Sequence, residues 1–262
     1  MSSSSVQIVG LEKHPDAYLY AVGPHNHNQP ERHLIRPISF IRNRVKTKVI
    51  IATMETTTAS EGSFQRTMPV VFKFAAGRGY TLLQHEFGFY TRLASLQGTV
   101  IPKCYGFFEA KLGEKMAGCL VLEQCVETSP GSLRNSDGSR IDKNEQKAEY
   151  MRKFMQGLCK IHEAGVVLNH DRDETHSIYQ GRDPRIIDFS RASMHVCPGA
   201  CPAPIPAFNS RVNAVLACDG SLGCRELIEM EKDSALVAKK VADSATLAGK
   251  ISSFLSGDFD YL

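Results

Sequence analysis

The chain has 262 residues, 42% hydrophobic and 23% charged, which is typical of a globular protein with one two-lobed domain or two small ones. Its formal net charge of +3 is too small to indicate nucleic acid or an anionic membrane as the main partner. The sequence shows no secretory leader and no run of about 20 apolar residues, so we expect an intracellular, cytoplasmic protein. Most of its eight cysteines lie in apolar runs, which favours a reducing compartment.

The first half of the chain predicts a small sheet with one helix. Residues 1–36 are rich in Ser, His, Asn and Pro, and we expect an adaptable extension there. Leu and aromatic residues spaced three and four apart predict an amphipathic helix at 80–97. The polar segment 55–67 is expected to be an exposed turn. Short β-type runs predict five strands, at 38–41, 48–52, 69–74, 104–110 and 119–122.

The second half is predicted to begin after a polar linker at 127–142. A helix is expected at 143–164, ending at Gly165 as helices often do. Two short apolar runs, 165–168 and 185–189, flank a polar loop. Weaker helical patterns follow at 223–232 and 235–254.

Lys73 and Glu86 form the first candidate pair. Lys73 ends a β-type run, where a lysine usually lies on a solvent-exposed face. Glu86, however, lies along the apolar face of the helix that follows. A buried carboxylate needs a cation, because an unpaired buried charge costs several kcal/mol. We therefore predict that Lys73 pairs with Glu86.

Asp171 and Asp188 lie on either side of the polar loop, each beside a short apolar run. Either acid alone is more often a turn residue. Together they suit a metal and phosphate site, because Mg²⁺ takes hard oxygen ligands from one or two carboxylates and from phosphate.

In this order the residues resemble the protein-kinase signature. The resemblance covers about residues 37–192, and the general sequence pattern is similar to divergent kinase-like proteins of filamentous fungi. The matching segments are Val70-Val71-Phe72-Lys73 for V-A-I-K, Glu86 for its partner, 120–124 for the adenine hinge, 162–167 before the catalytic loop, and Arg185 to Ser190 for D-F-G.

The resemblance implies an α+β, two-lobed protein-kinase-like fold. Its N-lobe, 37–126, would be a small antiparallel sheet plus one helix, and its shortened C-lobe, 143–262, would be mainly helical. The implied activity is an ATP-dependent transfer of the terminal phosphoryl group to a hydroxyl acceptor, protein or small molecule. ATP and Mg²⁺ are the implied cofactors.

The resemblance also implies residue roles. Lys73 would contact the α- and β-phosphates, Glu86 would hold Lys73, and Asp171 would accept the proton of the attacking hydroxyl. The remaining implied positions are Glu123 and Cys125 beside the nucleotide, and Asp188 with His176 at the metal.

Several departures favour an alternative, a catalytically impaired pseudokinase that acts as a binding or scaffolding module. No G-x-G-x-x-G precedes Lys73, and no complete A-P-E follows Asp188. His176 replaces a metal-binding asparagine, although imidazole is a poor Mg²⁺ ligand. Asn169-His170-Asp171 replaces H-R-D, and a gap-free alignment puts His170 in the aspartate position. An unrelated α+β protein is the third hypothesis.

Four cysteines near the C-terminus suggest one further site. Cys197, Cys201, Cys218 and Cys224 could supply four thiolates to a structural Zn²⁺. Their spacing matches no strong zinc motif, so buried or free thiols are the alternative.

Overall fold

The chain divides into two compact units, Met1–Cys125 with Ile187–Ala192, and Val126–Ile186 with Ser193–Leu262. The computed structural model of the chain describes residues 5–9, 18–21, 31–43, 47–58, 64–125, 143–169, 177–180, 183–197 and 224–229. Among these residues, no helix is both long enough and apolar enough to cross a membrane.

Seven strands of the first unit form a closed barrel in the order β1-β2-β6-β7-β5-β4-β3. Neighbouring strands are antiparallel, except that β1 and β3 run parallel where the barrel closes. The strands are β1 (Ser5–Ile8), β2 (Tyr18–Ala21), β3 (Glu31–Asn43), β4 (Lys48–Thr58), β5 (Phe64–Ala76), β6 (Cys104–Leu112) and β7 (Lys115–Glu123).

The prediction of a two-lobed kinase-like fold is wrong, because the sheet closes into this barrel. Two strands from the first 36 residues produce the closure. β1 pairs with β3, aligning Ser5 with Arg32, and β2 pairs with β6, aligning Tyr20 with Glu109. The two strands satisfy the backbone groups that an open five-stranded sheet would expose at its edges.

Between residues 31 and 123 the predicted order of three strands, a helix and two strands is present, but the strands are longer than predicted. The prediction of an exposed turn over residues 55–67 is wrong, because strands occupy both ends of this segment. β4 continues through Thr58, and β5 pairs with it from Phe64 onwards. The polar run that suggested a turn contains Thr56, Thr57 and Thr58, whose β-branched side chains suit a strand.

Helix α1 (Arg78–Arg92) packs on the outside of the barrel against β5, β6 and β7. A 3-10 turn, Ala94–Leu96, follows it. The interior of the barrel is filled by a separate apolar cluster. Its members are Val6, Ile8, Leu19, Ile35, Ile50, Ala52, Met54, Val70, Phe72, Phe108, Cys119 and Val121.

Gly118 of β7 allows aromatic side chains to cover the outer surface of the sheet. A Cβ at this position would lie 2.6 Å from Phe107 Cζ and 3.1 Å from Tyr80 Cδ2. Phe107 in turn stacks on Phe87 of α1, with ring centroids 5.4 Å apart. Only glycine leaves room for this close packing.

The second unit contains the predicted helix, α2 (Lys143–Glu163), which ends before Gly165 at φ +78°. Its described strands form two small antiparallel sheets. β8 (Val166–Val167) pairs with β11 (Ser193–Met194), and β9 (Ser177–Gln180) pairs with β10 (Asp183–Ile186). Residues 225–229 form a helical turn. The prediction of a mainly helical C-lobe is therefore wrong for the described residues. The predicted linker, 127–142, and the helical pattern at 235–254 lie outside them.

Candidate functional site

Lys73 lies on the outer surface of the barrel, facing α1. Its neighbour Phe72 fills the barrel interior, and alternate strand residues point to opposite faces of a sheet. In the sheet, Lys73 is aligned with Val49 of β4 and Leu120 of β7. The lysine side chain is only 12% exposed. It therefore lies in a partly closed layer between sheet and helix rather than on a solvated face.

Glu86 of α1 pairs with this lysine. Lys73 Nζ donates to Glu86 Oε1 at 2.7 Å and to Oε2 at 3.0 Å. The glutamate side chain is 1% exposed, so its charge depends on this partner. The predicted contact is present, whereas a role for it in nucleotide binding stays a prediction.

Asp188 is the third member of the cluster. Its Oδ1 lies 3.6 Å from Lys73 Nζ, and its side chain is 25% exposed. The residue has φ +68°, in the left-handed region, which Asp and Asn adopt more readily than most residues. Ser190 N donates to Asp188 Oδ1 at 3.3 Å. This local turn directs the Asp188 carboxylate towards the lysine.

Three contacts hold the segment 187–192 against α1. Phe189 N donates to Glu86 Oε1 at 3.4 Å, and the buried Phe189 ring meets Tyr90 edge-to-face at 5.1 Å between centroids. His85 Nε2 lies 2.8 Å from the carbonyl oxygen of Ala192, so this nitrogen is the donor. Asp188 is positioned by these neighbours. Sequence reasoning did not assign His85 or Phe189 a role, and the only available signal was their place beside Glu86 and Asp188.

Charge and burial together set the electrostatics of the cluster. Burial lowers the pKa of Lys73, but the carboxylates of Glu86 and Asp188 outweigh burial and hold this pKa above its ordinary value. Burial raises the pKa of Glu86, Lys73 opposes the change, and Asp188 adds to it. Burial, followed by the charge of Glu86, raises the pKa of Tyr90 well above its usual range.

The donor set fits a divalent cation and phosphate. Asp188 offers hard carboxylate oxygens with some access to solvent, as Mg²⁺ requires. Lys73 offers a fixed point charge, the form in which lysine recognises phosphate.

Glu123 and Cys125, implied to lie beside the nucleotide, are at the end of β7. Glu123 N donates to Lys103 O at 2.8 Å, and Glu123 Oε2 accepts from Lys103 N at 3.0 Å. In the sheet, Glu123 is aligned with Val70, which lies three residues before Lys73 on β5. By strand geometry, Glu123 is therefore about 10 Å along the sheet from the row that contains Lys73. Cys125 is buried. The amide nitrogen and one carboxylate oxygen of Glu123 are thus hydrogen-bonded to the main chain of Lys103.

Asp171, the predicted base, and His176, the predicted second metal ligand, lie outside the described residues. His170, the alternative base, lies there too. The three assignments stay predictions, and the geometry of the site rests on Lys73, Glu86 and Asp188.

The sequence matches no protein-family model and no curated protein.

Proposed function

We propose that the chain binds ATP together with Mg²⁺ at the Lys73, Glu86 and Asp188 cluster, and transfers the terminal phosphoryl group to a hydroxyl acceptor. The supporting observation is the buried ion pair that fixes Lys73 Nζ at 3.6 Å from an accessible aspartate. The acceptor is a protein or a small molecule.

The charge of the cluster favours a metal-bound nucleotide over a free one. One ammonium and two carboxylates leave a net negative charge, which repels phosphate. A divalent cation on Asp188 makes the net charge positive, so phosphate and metal favour each other's binding. ATP affinity should therefore depend strongly on Mg²⁺.

A rigidly held ammonium also suits phosphoryl transfer, in which positioning and charge neutralisation provide most of the catalysis. The raised pKa of Lys73 keeps its side chain protonated at neutral pH. Lys73 therefore acts as a fixed positive charge and not as a base. Accepting the proton of the attacking hydroxyl falls to Asp171 in this proposal.

A second candidate is a module that binds the nucleotide without turning it over. Asn43 of β3 pairs with Lys48 of β4, next to the row that contains Lys73. The sequence between these two residues contains no glycine, whereas glycine lets a backbone approach phosphates closely. A backbone that closes poorly over the phosphates favours ATP binding without efficient phosphoryl transfer.

The test is ATP binding by calorimetry with and without Mg²⁺, on wild type and on Lys73→Arg, Lys73→Met and Asp188→Asn. Losing a charged contact costs about 1.5–3 kcal/mol, or roughly a 10- to 100-fold loss of affinity. Asp188→Asn preserves the left-handed backbone and should abolish the Mg²⁺ dependence. Lys111→Met and Asp183→Asn, both at exposed positions, serve as matched controls.

Absent binding, or binding that Mg²⁺ and these substitutions leave unchanged, would reject the nucleotide site. If Lys73→Met is too unstable to purify, Lys73→Arg and Asp188→Asn still provide the test. Release of ADP with a panel of hydroxyl acceptors then separates the two candidates. Mg²⁺-dependent binding without turnover would establish the non-catalytic module.

A further inference from the structure

Two histidines and two cysteines of the second unit converge on one point. They are His162, His195, Cys197 and Cys224, and their ligand atoms all lie within 4.8 Å of one another. His162 is near the end of α2, His195 and Cys197 follow β11, and Cys224 precedes the helical turn 225–229. Three separate stretches of chain therefore meet here.

Their chemistry matches a structural zinc centre, since two thiolates and two imidazoles form one of its common ligand sets. His162 Nδ1 lies 3.5 Å from Cys224 Sγ. In a tetrahedral site with the usual Zn–S and Zn–N bond lengths, this separation is about 3.6 Å. No two of the four ligand atoms are more than 4.8 Å apart, which is at most about 1 Å beyond the tetrahedral S···S distance of about 3.8 Å, and small side-chain rotations can close such a gap.

Glu226 holds His162 in the orientation of a ligand. His162 Nε2 lies 2.6 Å from Glu226 Oε2, on the side of the ring away from Cys224. The backbone amides of Leu168 and Asn169 donate to the same carboxylate at 3.1 and 3.0 Å. Metal-binding histidines usually donate their second ring nitrogen to such a carboxylate, which fixes the tautomer and leaves the first nitrogen to the metal.

His195 provides an independent observation. Its Nε2 is buried and has no hydrogen-bond partner within the described part of the chain. The His195 ring packs edge-to-face on His162, with centroids 5.3 Å apart. A buried polar atom left unsatisfied costs about 1–3 kcal/mol, so its presence calls for an explanation. If Nε2 is the nitrogen that His195 contributes to the cluster, a metal ion at its centre supplies the missing partner.

We propose that His162, His195, Cys197 and Cys224 bind one Zn²⁺ in a closed, four-coordinate site. Protein ligands take all four positions, so the ion is structural and does not activate water. The soft thiolates select zinc over the Mg²⁺ proposed for the Lys73 cluster. Of the four cysteines considered in the sequence, Cys197 and Cys224 take part, whereas Cys201 and Cys218 lie outside the described residues.

Metal content and cobalt spectroscopy test the site on the full chain, purified under reducing conditions and without a histidine tag. We expect stoichiometric zinc by mass spectrometry. Replacement of zinc by Co²⁺ should give intense tetrahedral d–d bands and thiolate-to-cobalt charge-transfer absorption. Cys197→Ser should lose the bound zinc, whereas Cys104→Ser, a partly buried cysteine of the barrel, should retain it.

Glu226→Gln tests the positioning role. The amide still fits the space but no longer orients His162 as a carboxylate does, so zinc affinity should fall roughly 10- to 100-fold. The cobalt spectrum at saturation should keep its tetrahedral form, because the four ligands are unchanged.

Two results would overturn the proposal. One is wild-type protein without zinc whose Co²⁺ titration lacks thiolate charge-transfer absorption. The other is a disulfide between Cys197 and Cys224 in protein kept reduced. Because both measurements use wild type, they remain decisive even if Cys197→Ser fails to fold.

Discussion

The two faces of β5 show how one strand serves both the core and the candidate site. On the inner face, Val70 and Phe72 are fully buried in an apolar cluster. On the outer face, Lys73 is buried almost as deeply but is balanced by Glu86. The inner face is stabilised by packing, and the outer face depends on charges that must stay matched. A charge retained in so closed a layer is the reason why we place the proposed nucleotide site on the outer face.

Removing one member of the ion pair should have the largest effect. Glu86→Leu leaves the Lys73 ammonium poorly compensated and should reduce the free energy of unfolding by about 3–5 kcal/mol. The double variant Lys73→Met with Glu86→Leu should recover most of this loss, because paired apolar replacements of buried ion pairs are often nearly neutral. Denaturant unfolding of the four proteins in this cycle measures the coupling.

Phe72→Ala is the control from the inner face. Phe72→Ala should lower the free energy of unfolding by a similar amount, about 3–5 kcal/mol, because it creates a cavity. This loss should be the same in the presence of Lys73→Met or Glu86→Leu. If the losses in free energy of unfolding caused by Glu86→Leu and Lys73→Met are simply additive in the double variant, the two side chains are not coupled. The contrast between the two faces would then be wrong.

Gly118→Ala should have an intermediate effect, because it disturbs only the packing of the outer face. The added methyl group would meet the Phe107 ring at 2.6 Å, and such overpacking costs about 1–3 kcal/mol. Gly88→Ala in α1 is the matched control, since a Cβ there meets nothing within 4 Å. That substitution should stabilise the protein by about 0.5–1 kcal/mol through helix propensity. Equal changes in melting temperature for Gly118→Ala and Gly88→Ala would contradict this account.

The smallest effect concerns Tyr80, whose hydroxyl donates to Glu109 Oε2 at 2.5 Å. Burial, and then the contact with Glu109, raises the pKa of Tyr80 from 10.0 to about 12. Because the pKa is higher in the folded state, the stabilisation is complete below about pH 10 and is lost as the pH rises towards 12. The stability difference between wild type and Tyr80→Phe should shrink over this window.

Absorbance titration checks the same prediction directly. The chain has eight tyrosines, so the difference between wild type and Tyr80→Phe is needed to isolate one of them. A difference spectrum that titrates near pH 10 would contradict a raised pKa.

The sequence predicted local elements well and the fold poorly. β3 to β7, α1 and α2 follow from hydrophobic periodicity, which is a local property. β1 and β2 are only four residues long and lie among Ser, His and Pro. Their role depends on pairing with distant strands, such as Tyr20 with Glu109, and local periodicity contains no information on such pairing.

The candidate sites show the same limit, because a local sequence pattern does not reveal which distant residues meet. A glutamate on the apolar face of α1 was enough to predict its contact with Lys73, because burial demands a counter-charge. Of the proposed zinc ligands, Cys197 and Cys224 were named from the sequence, but the two histidines were missed because the cysteines were considered only with one another. The spacing His195-x-Cys197 was a usable signal, but the contribution of His162 depends on how three stretches of chain meet.

Barrel closure by β1 and β2 also sets an order of events in folding. During synthesis β1 can pair with β3 before β2 pairs with β6, since Ser5 and Arg32 are much closer in the sequence than Tyr20 and Glu109. β2 must wait for β6, because Tyr20 pairs with Glu109. Until then β6 has one unpaired edge, which is a template for association with other chains. Since contacts between distant residues slow folding, we expect this last step of closure to be the one most exposed to aggregation.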